Sequence, residues 1–116
     1  MIEQWIVQLR KGVLEYCLLL VLKKGAGYGY EIVQALKGEE DLAVGESTAY
    51  PILARLRGEG YLKSWEAAGE GGPKRRYYAL TAAGKARLAA MEAYWPALTQ
   101  AIEDLKHGKG ASDDDK

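Results

Sequence analysis

The chain of 116 residues has one cysteine, one histidine, three prolines and no phenylalanine, and its sixteen basic residues balance sixteen acidic ones. Each scarcity excludes something. A single thiol cannot close an intramolecular disulfide. Cys17 sits in an apolar segment and reads as a small packing hydrophobe in a reducing cytoplasm. Cysteine and histidine together number two, too few for a metal-sensing centre. The one histidine, His107, lies in a polar tail. With no Gly-rich phosphate loop and no acid pair in a defined context, an enzyme is not expected. No apolar run approaches the roughly 18 residues of a membrane span. The longest candidate, 13–22, is interrupted by Glu15, and the opening MIEQW lacks the basic start of a signal peptide. Zero net charge argues against a generic nucleic-acid coat.

The distribution of charge says more than its sum. Residues 44–81 hold six cations against four acids, whereas 103–116 hold five acids against three lysines. A neutral protein can therefore present one basic face. The length fits one domain with an appended long helix.

Apolar residues at three- and four-residue spacing predict a helix over 3–24, through Trp5, Leu9, Val13, Cys17 and Leu20. Ile6, Leu14, Leu18 and Val21 broaden the stripe, so this helix should be buried on several sides. Gly25 can cap it. A Gly-rich connector leads to a second helix over about 30–36, and 39–41 reads as acidic loop. A third helix starts at Glu46 or Ser47 and ends at Gly60, with Ile52, Leu53 and Leu56 as its stripe. Pro51 is comfortable only in a first turn, so that turn should be distorted. Residues 61–66 and 75–80 read as strands, with Leu62, Tyr78 and Leu80 facing inward. Trp65 reads as packing within this hairpin.

Thr81 is placed to cap a last helix. Along it Gly84, Leu88, Met91, Trp95, Leu98, Ile102 and Leu105 alternate spacings of four and three, a seam three heptads long. Such a seam needs a partner, and a two-fold homodimer is the expected product, with Leu88, Met91, Trp95, Leu98, Ile102 and Leu105 in its interface. Pro96 should kink this helix, since it removes the bond to the Glu92 carbonyl. From His107 the tail lacks apolar residues and should be disordered. The expected units are thus 1–80, 81–106 and the tail 107–116.

The stretch 45–84 is the most informative. A short helix with a polar start precedes two β-like segments joined by a Gly-rich loop that ends in Lys74, Arg75 and Arg76. This is the order of a winged helix: a recognition helix for the major groove, then a hairpin wing carrying cations to the DNA backbone. The fold class is accordingly mainly α with a small β part (α+β): a winged helix-turn-helix with a long C-terminal dimerisation helix.

LRKGVLE at 9–15, GYGYEI at 27–32, GESTAYPILARLRGEGYL at 45–62, GPKRRYYALTAAG at 72–84 and Trp95 together resemble the PadR family of bacterial transcription regulators. The likeness spans roughly residues 8–105, and the single terminal helix is similar to the small subfamily. The resemblance implies a dimer built mainly by the last helix with help from the first. It also implies repression of target promoters and, in some members, release by a small aromatic ligand. Gly45 and Ala49 depart from the usual pattern, where serine and a larger aliphatic residue are common, and Pro96 is unusual in the dimer helix.

On double-stranded operator DNA, Ser47, Thr48 and Tyr50 are the candidate contacts of the third helix. Small hydroxyls bond phosphates or base edges without holding the backbone away. Local capping by Ser47 and Thr48, and core packing by Tyr50, are the alternatives. Arg55 can reach a phosphate or be spent in a surface salt bridge. Lys74, Arg75 and Arg76 are the wing candidates, with a solvated charge run as the alternative. Alternation sends the two arginines to opposite faces, so not both are expected to touch DNA. Trp5, Leu9, Met91, Tyr94 and Trp95 are candidates for a slot taking a planar aromatic ligand, with interface packing as the alternative. Two rival functions remain open: a winged-helix protein-interaction module that never touches DNA, and a DNA-binding repressor without an effector.

Overall fold

A computed structural model describes residues 2–42, 44–68 and 71–108. The chain runs α1 (Ile2–Lys23), β1 (Gly27–Tyr28), α2 (Gly29–Lys37), a 3-10 turn (Glu40–Leu42), α3 (Glu46–Gly58), β2 (Leu62–Ala68), β3 (Lys74–Leu80) and α4 (Ala82–Lys106). The strands form one antiparallel sheet in the order β1-β3-β2. The helices, the hairpin and their order agree with the sequence reading.

The core is aliphatic. Leu18 and Leu19 of α1, Ile32 and Val33 of α2, and Leu53 and Leu56 of α3 are almost fully enclosed. Each such side chain contributes about 1.5–3 kcal/mol relative to exposure. Leu62, Tyr78 and Leu80 close the core from the sheet, as their alternation requires. Leu88 of α4 joins the same core, so the first turns of α4 pack as part of the winged domain rather than outside it.

Two backbone details fix how α4 leaves the sheet. The Thr81 hydroxyl accepts from the Gly84 N–H at 3.0 Å and donates to the Gly60 carbonyl at 2.6 Å, which ties the helix start to the end of α3. Gly84 packs so closely that a β-carbon there would overlap the Tyr61 carbonyl oxygen. Only glycine fits at that crossing.

Four features differ from expectation or add to it. The connector after α1 contains β1, whose two residues pair with Tyr77 and Tyr78. Two residues carry no alternation, so the strand is created by the open edge of β3. Pro51 is six residues into α3, past the first turn, and the helix begins cleanly from Gly45. The Ser47 carbonyl loses its donor, and the bond is missing in the second turn instead. α4 is helical on both sides of Pro96. Finally, α1 is buried only in its second half. Ile2, Trp5, Val7 and Leu9 are about half exposed or more within one chain, where burial on several sides was expected. The tail expected to be disordered lies outside the described residues from 109 onward. His107 caps α4 and Gly108 adopts a positive φ of 70° after it.

Candidate nucleic-acid interface

The first turn of α3 is a solvent-facing helix N-terminus. Glu46, Ser47 and Thr48 are exposed, while Ala49 is fully buried against the core. Ala49 is thus a packing position, and its small size bears on the seating of α3 rather than on any contact outside the protein. Gly45, the cap residue, bonds through its carbonyl to the Thr48 and Ala49 N–H groups, so neither Ser47 nor Thr48 is consumed as a side-chain cap. Their hydroxyls are available beside the partial positive charge of the helix end.

Tyr50, at 39% exposure, lies over the start of α2. A β-carbon on Gly29 would stand 2.8 Å from its ring. Glycine at 29 therefore lets the ring lie on the α2 backbone and sets where the phenol points. Burial, and then the Glu46 carboxylate, raise the Tyr50 phenol above its ordinary value, so it stays a neutral donor.

The wing meets this surface at a cleft of about 250 Å³ lined by Tyr28, Gly29, Tyr30, Tyr50, Pro73, Arg75, Arg76 and Tyr78. Register explains why both arginines border it. Arg76 shares a face with the inward Tyr78 and Leu80, and Arg75 shares the outer face with Tyr77. β1 covers β3 only at Tyr77 and Tyr78, so the strand edge at Arg75 and Arg76 stays uncovered on that side. Opposite faces of one short edge thus open on the same space. The Arg75 guanidinium stacks 4.4 Å above the Tyr28 ring. Arg76 donates to the Ser64 hydroxyl at 3.2 Å and sits 3.6 Å from the Glu66 carboxylate. Lys74 is exposed at the start of β3. Trp65 stacks on Tyr77 at 6.0 Å with the rings 13° apart, as hairpin packing.

Arg55 has a different fate. Its side chain is half exposed and is paired with Glu15 at 2.9 Å and Glu59 at 3.0 Å. Of the two roles open to it, the salt bridge is the one it fills here. Glu15 also takes Arg87 of α4 on its second oxygen, and Arg87 reaches the Tyr61 hydroxyl at 3.2 Å. Burial opposes the charge on Glu15, but bonds and Coulomb attraction from Arg87 and Arg55 outweigh it and hold the carboxyl below the usual glutamate range.

The residues expected at the dimer seam and ligand slot divide in two. Leu88 is 2% exposed inside its own protomer, and Met91 packs against that same core. Leu88 therefore serves the protomer rather than a free seam, because the first turns of α4 lie across the sheet and α1. Beyond them Tyr94, Trp95, Ile102 and Leu105 are exposed and Leu98 half-buried. The Trp95 ring stands 5.8 Å from Tyr16 of α1. Among the described residues of one chain, no ring contact joins Trp5 to Trp95.

Sequence reasoning missed Tyr28, Gly29, Tyr30 and Tyr78 as cleft residues, and Glu15 and Arg87 as a charge centre. The one available signal was Glu15 itself, a charge inside an apolar run.

The family model described as the transcriptional regulator PadR-like family matches residues 18–90. A PadR-like transcription factor from Bacteroides fragilis is 40% identical, covers 85% of this chain and 95% of its own, and superposes with a TM-score of 0.72. A PadR-like transcriptional regulator from Bacillus cereus is 33% identical over 87% of this chain and 98% of its own, with a TM-score of 0.78. Bacillus subtilis PadR in complex with operator DNA is 31% identical, with 68% of this chain and 46% of that one covered and a TM-score of 0.59.

Proposed function

This chain belongs to the PadR-like family of transcriptional regulators, and from that premise we propose that it is a cytoplasmic homodimeric repressor that binds double-stranded operator DNA. Ser47, Thr48 and Tyr50 read the major groove, and Lys74, Arg75 and Arg76 grip the adjacent backbone or minor groove. The observation that carries this reading is the shared cleft: Tyr50 of α3 and both wing arginines line it together, and Ser47 and Thr48 are exposed one turn before Tyr50 on the same helix. A similar protein has been seen on operator DNA. Arg55 is held by two carboxylates, which supports a bracing role rather than a phosphate contact.

One protomer offers few free cations, so useful affinity requires two, on half-sites about one helical turn apart. The bare half of α1 and the bare end of α4 are the surfaces for pairing. In the dimer, Trp5, Leu9, Met91, Tyr94 and Trp95 line a slot for a planar aromatic effector. Such a ligand releases DNA to the extent that it binds one spacing of the recognition helices better than another.

Fluorescence anisotropy tests this with a duplex from upstream of the protein's own gene and a scrambled duplex, across a salt series. Specific binding that falls steeply with salt is the expected result. Absence of binding to either duplex at low salt overturns the DNA reading in favour of a protein-interaction module. An operator affinity that ignores every saturating planar aromatic compound tried against it removes the effector from the reading.

A further inference from the structure

We propose that Glu15 is a positioning residue for DNA binding, its carboxylate locking recognition helix α3 to α4 and so setting the spacing of the two α3 helices in the dimer. The inference rests on the dimeric reading above.

Glu15 is the one charged residue between positions 13 and 22 of α1. Its side chain is 12% exposed. Each carboxylate oxygen is taken by an arginine from a different helix: Oε1 by Arg55 of α3 at 2.9 Å, and Oε2 by the Arg87 Nε of α4 at 2.5 Å. Both arginines are held again on their far sides. Arg55 bonds Glu59 at 3.0 Å. Arg87 bonds the Tyr61 hydroxyl and lies 4.5 Å from the Tyr61 ring. The two carboxylates and two guanidinium groups sum to zero charge, so the cluster needs no external counter-ion.

Stability alone does not call for this arrangement. The Arg55 and Arg87 side chains are 47% and 36% exposed, and ion pairs that keep this much contact with water add little stability. What a carboxylate between two guanidinium forks adds is direction, since each bond is strong only in a narrow geometry. Here that direction joins the helix that meets DNA to the helix that carries the exposed seam. Arg55 is eight residues from Ser47, or about 12 Å along α3. A tilt of about 10° at this pivot moves the DNA-facing tip by on the order of 2 Å, the scale on which groove contacts are gained or lost.

Double electron–electron resonance on full-length protein reads the spacing directly. In a Cys17→Ser background, a spin label on Ala54→Cys places one reporter on each exposed flank of α3. The parent should give one narrow interprotomer distance. Glu15→Gln keeps the side-chain shape and removes the charge. It should broaden the distribution while sedimentation still shows a dimer, and weaken the specific duplex by about tenfold. The triple variant Glu15→Leu, Arg55→Met, Arg87→Met replaces the charge cluster with apolar side chains, leaves no unpaired charge, and guards against a variant that fails to fold. It should recover thermal stability yet keep the broad distribution. An unchanged narrow distance in folded Glu15→Gln, or a narrow distance restored by the triple variant, overturns the positioning role. No dipolar signal in the parent overturns the dimer, and this inference with it, and is distinguishable because it appears before any substitution at Glu15.

Discussion

The two halves of α1 follow the same apolar periodicity and meet opposite fates. Leu14, Leu18, Leu19 and Leu22 are enclosed by α2, α3, the sheet and the start of α4, while Ile2, Trp5, Val7 and Leu9 stand half bare. α4 repeats the contrast in reverse, from Leu88 at 2% exposure to Leu105 at 72%. Periodicity identifies which face of a helix wants cover. It is silent on whether the same chain provides it, because cover depends on elements distant in sequence.

Substitutions on either side of that divide sharpen it. Leu18→Ala, in the covered half, should cost about 2–5 kcal/mol in urea denaturation at any protein concentration. Gly84→Ala should cost about 1–3 kcal/mol or more, because the Tyr61 carbonyl is backbone and cannot swing aside. A melting temperature for Gly84→Ala equal to the parent's would refute that close approach. Leu105→Asp, on the bare side, should change protomer stability by no more than about 0.5 kcal/mol. Analytical ultracentrifugation should nonetheless shift it from dimer to monomer. A dimer that survives Leu105→Asp would move the interface away from the end of α4.

The charge cluster gives a pH test of the covered region. The Glu15 carboxyl lies below its unfolded value of 4.5 in the folded protein, so the unfolded chain binds the proton more readily. The stabilisation is therefore fully present above that value and is lost as pH falls through the lower, folded one. The stability difference between the parent and Glu15→Gln should be constant near neutral pH and shrink in acid. A difference that grows below pH 4.5 would contradict the assigned direction.

The smallest effect should separate the wing arginines. Replacing Arg75 or Arg76 by Ala should lower the salt slope of DNA binding by about one each if both meet phosphates. Arg55→Ala should leave that slope unchanged, because its guanidinium is committed to Glu15 and Glu59.

Much of this was legible in the chain itself. The alternation of Leu62, Tyr78 and Leu80 and the Thr81 cap are local patterns with local causes, and each appears where it was expected. On α1 the helix was legible but its buried face was not: Leu14, Leu18, Leu19 and Leu22 are enclosed, and the stripe through Trp5, Leu9, Val13, Cys17 and Leu20 is not. The order of short helix, hairpin and basic strand carried the winged-helix reading for the same reason. The Tyr28–Tyr50–Arg75–Arg76 cleft was not legible. It depends on a two-residue strand that exists only because β3 offers an edge, and on a glycine whose use is to let a ring from another helix lie flat.

The sequence by itself determined the elements and their order, since propensity, capping and periodicity act over a few residues. The tertiary structure decided what each cation pairs with and which of them borders the cleft. Arg55 and Arg76 are both half-exposed arginines near α3, yet Arg55 is paired with Glu15 and Glu59, whereas Arg76, with Glu66 at 3.6 Å on one side, also borders an open cleft. Glu15 and Arg55 are forty residues apart in the chain. Electrostatic pairing follows distance in space, and only folding sets that distance.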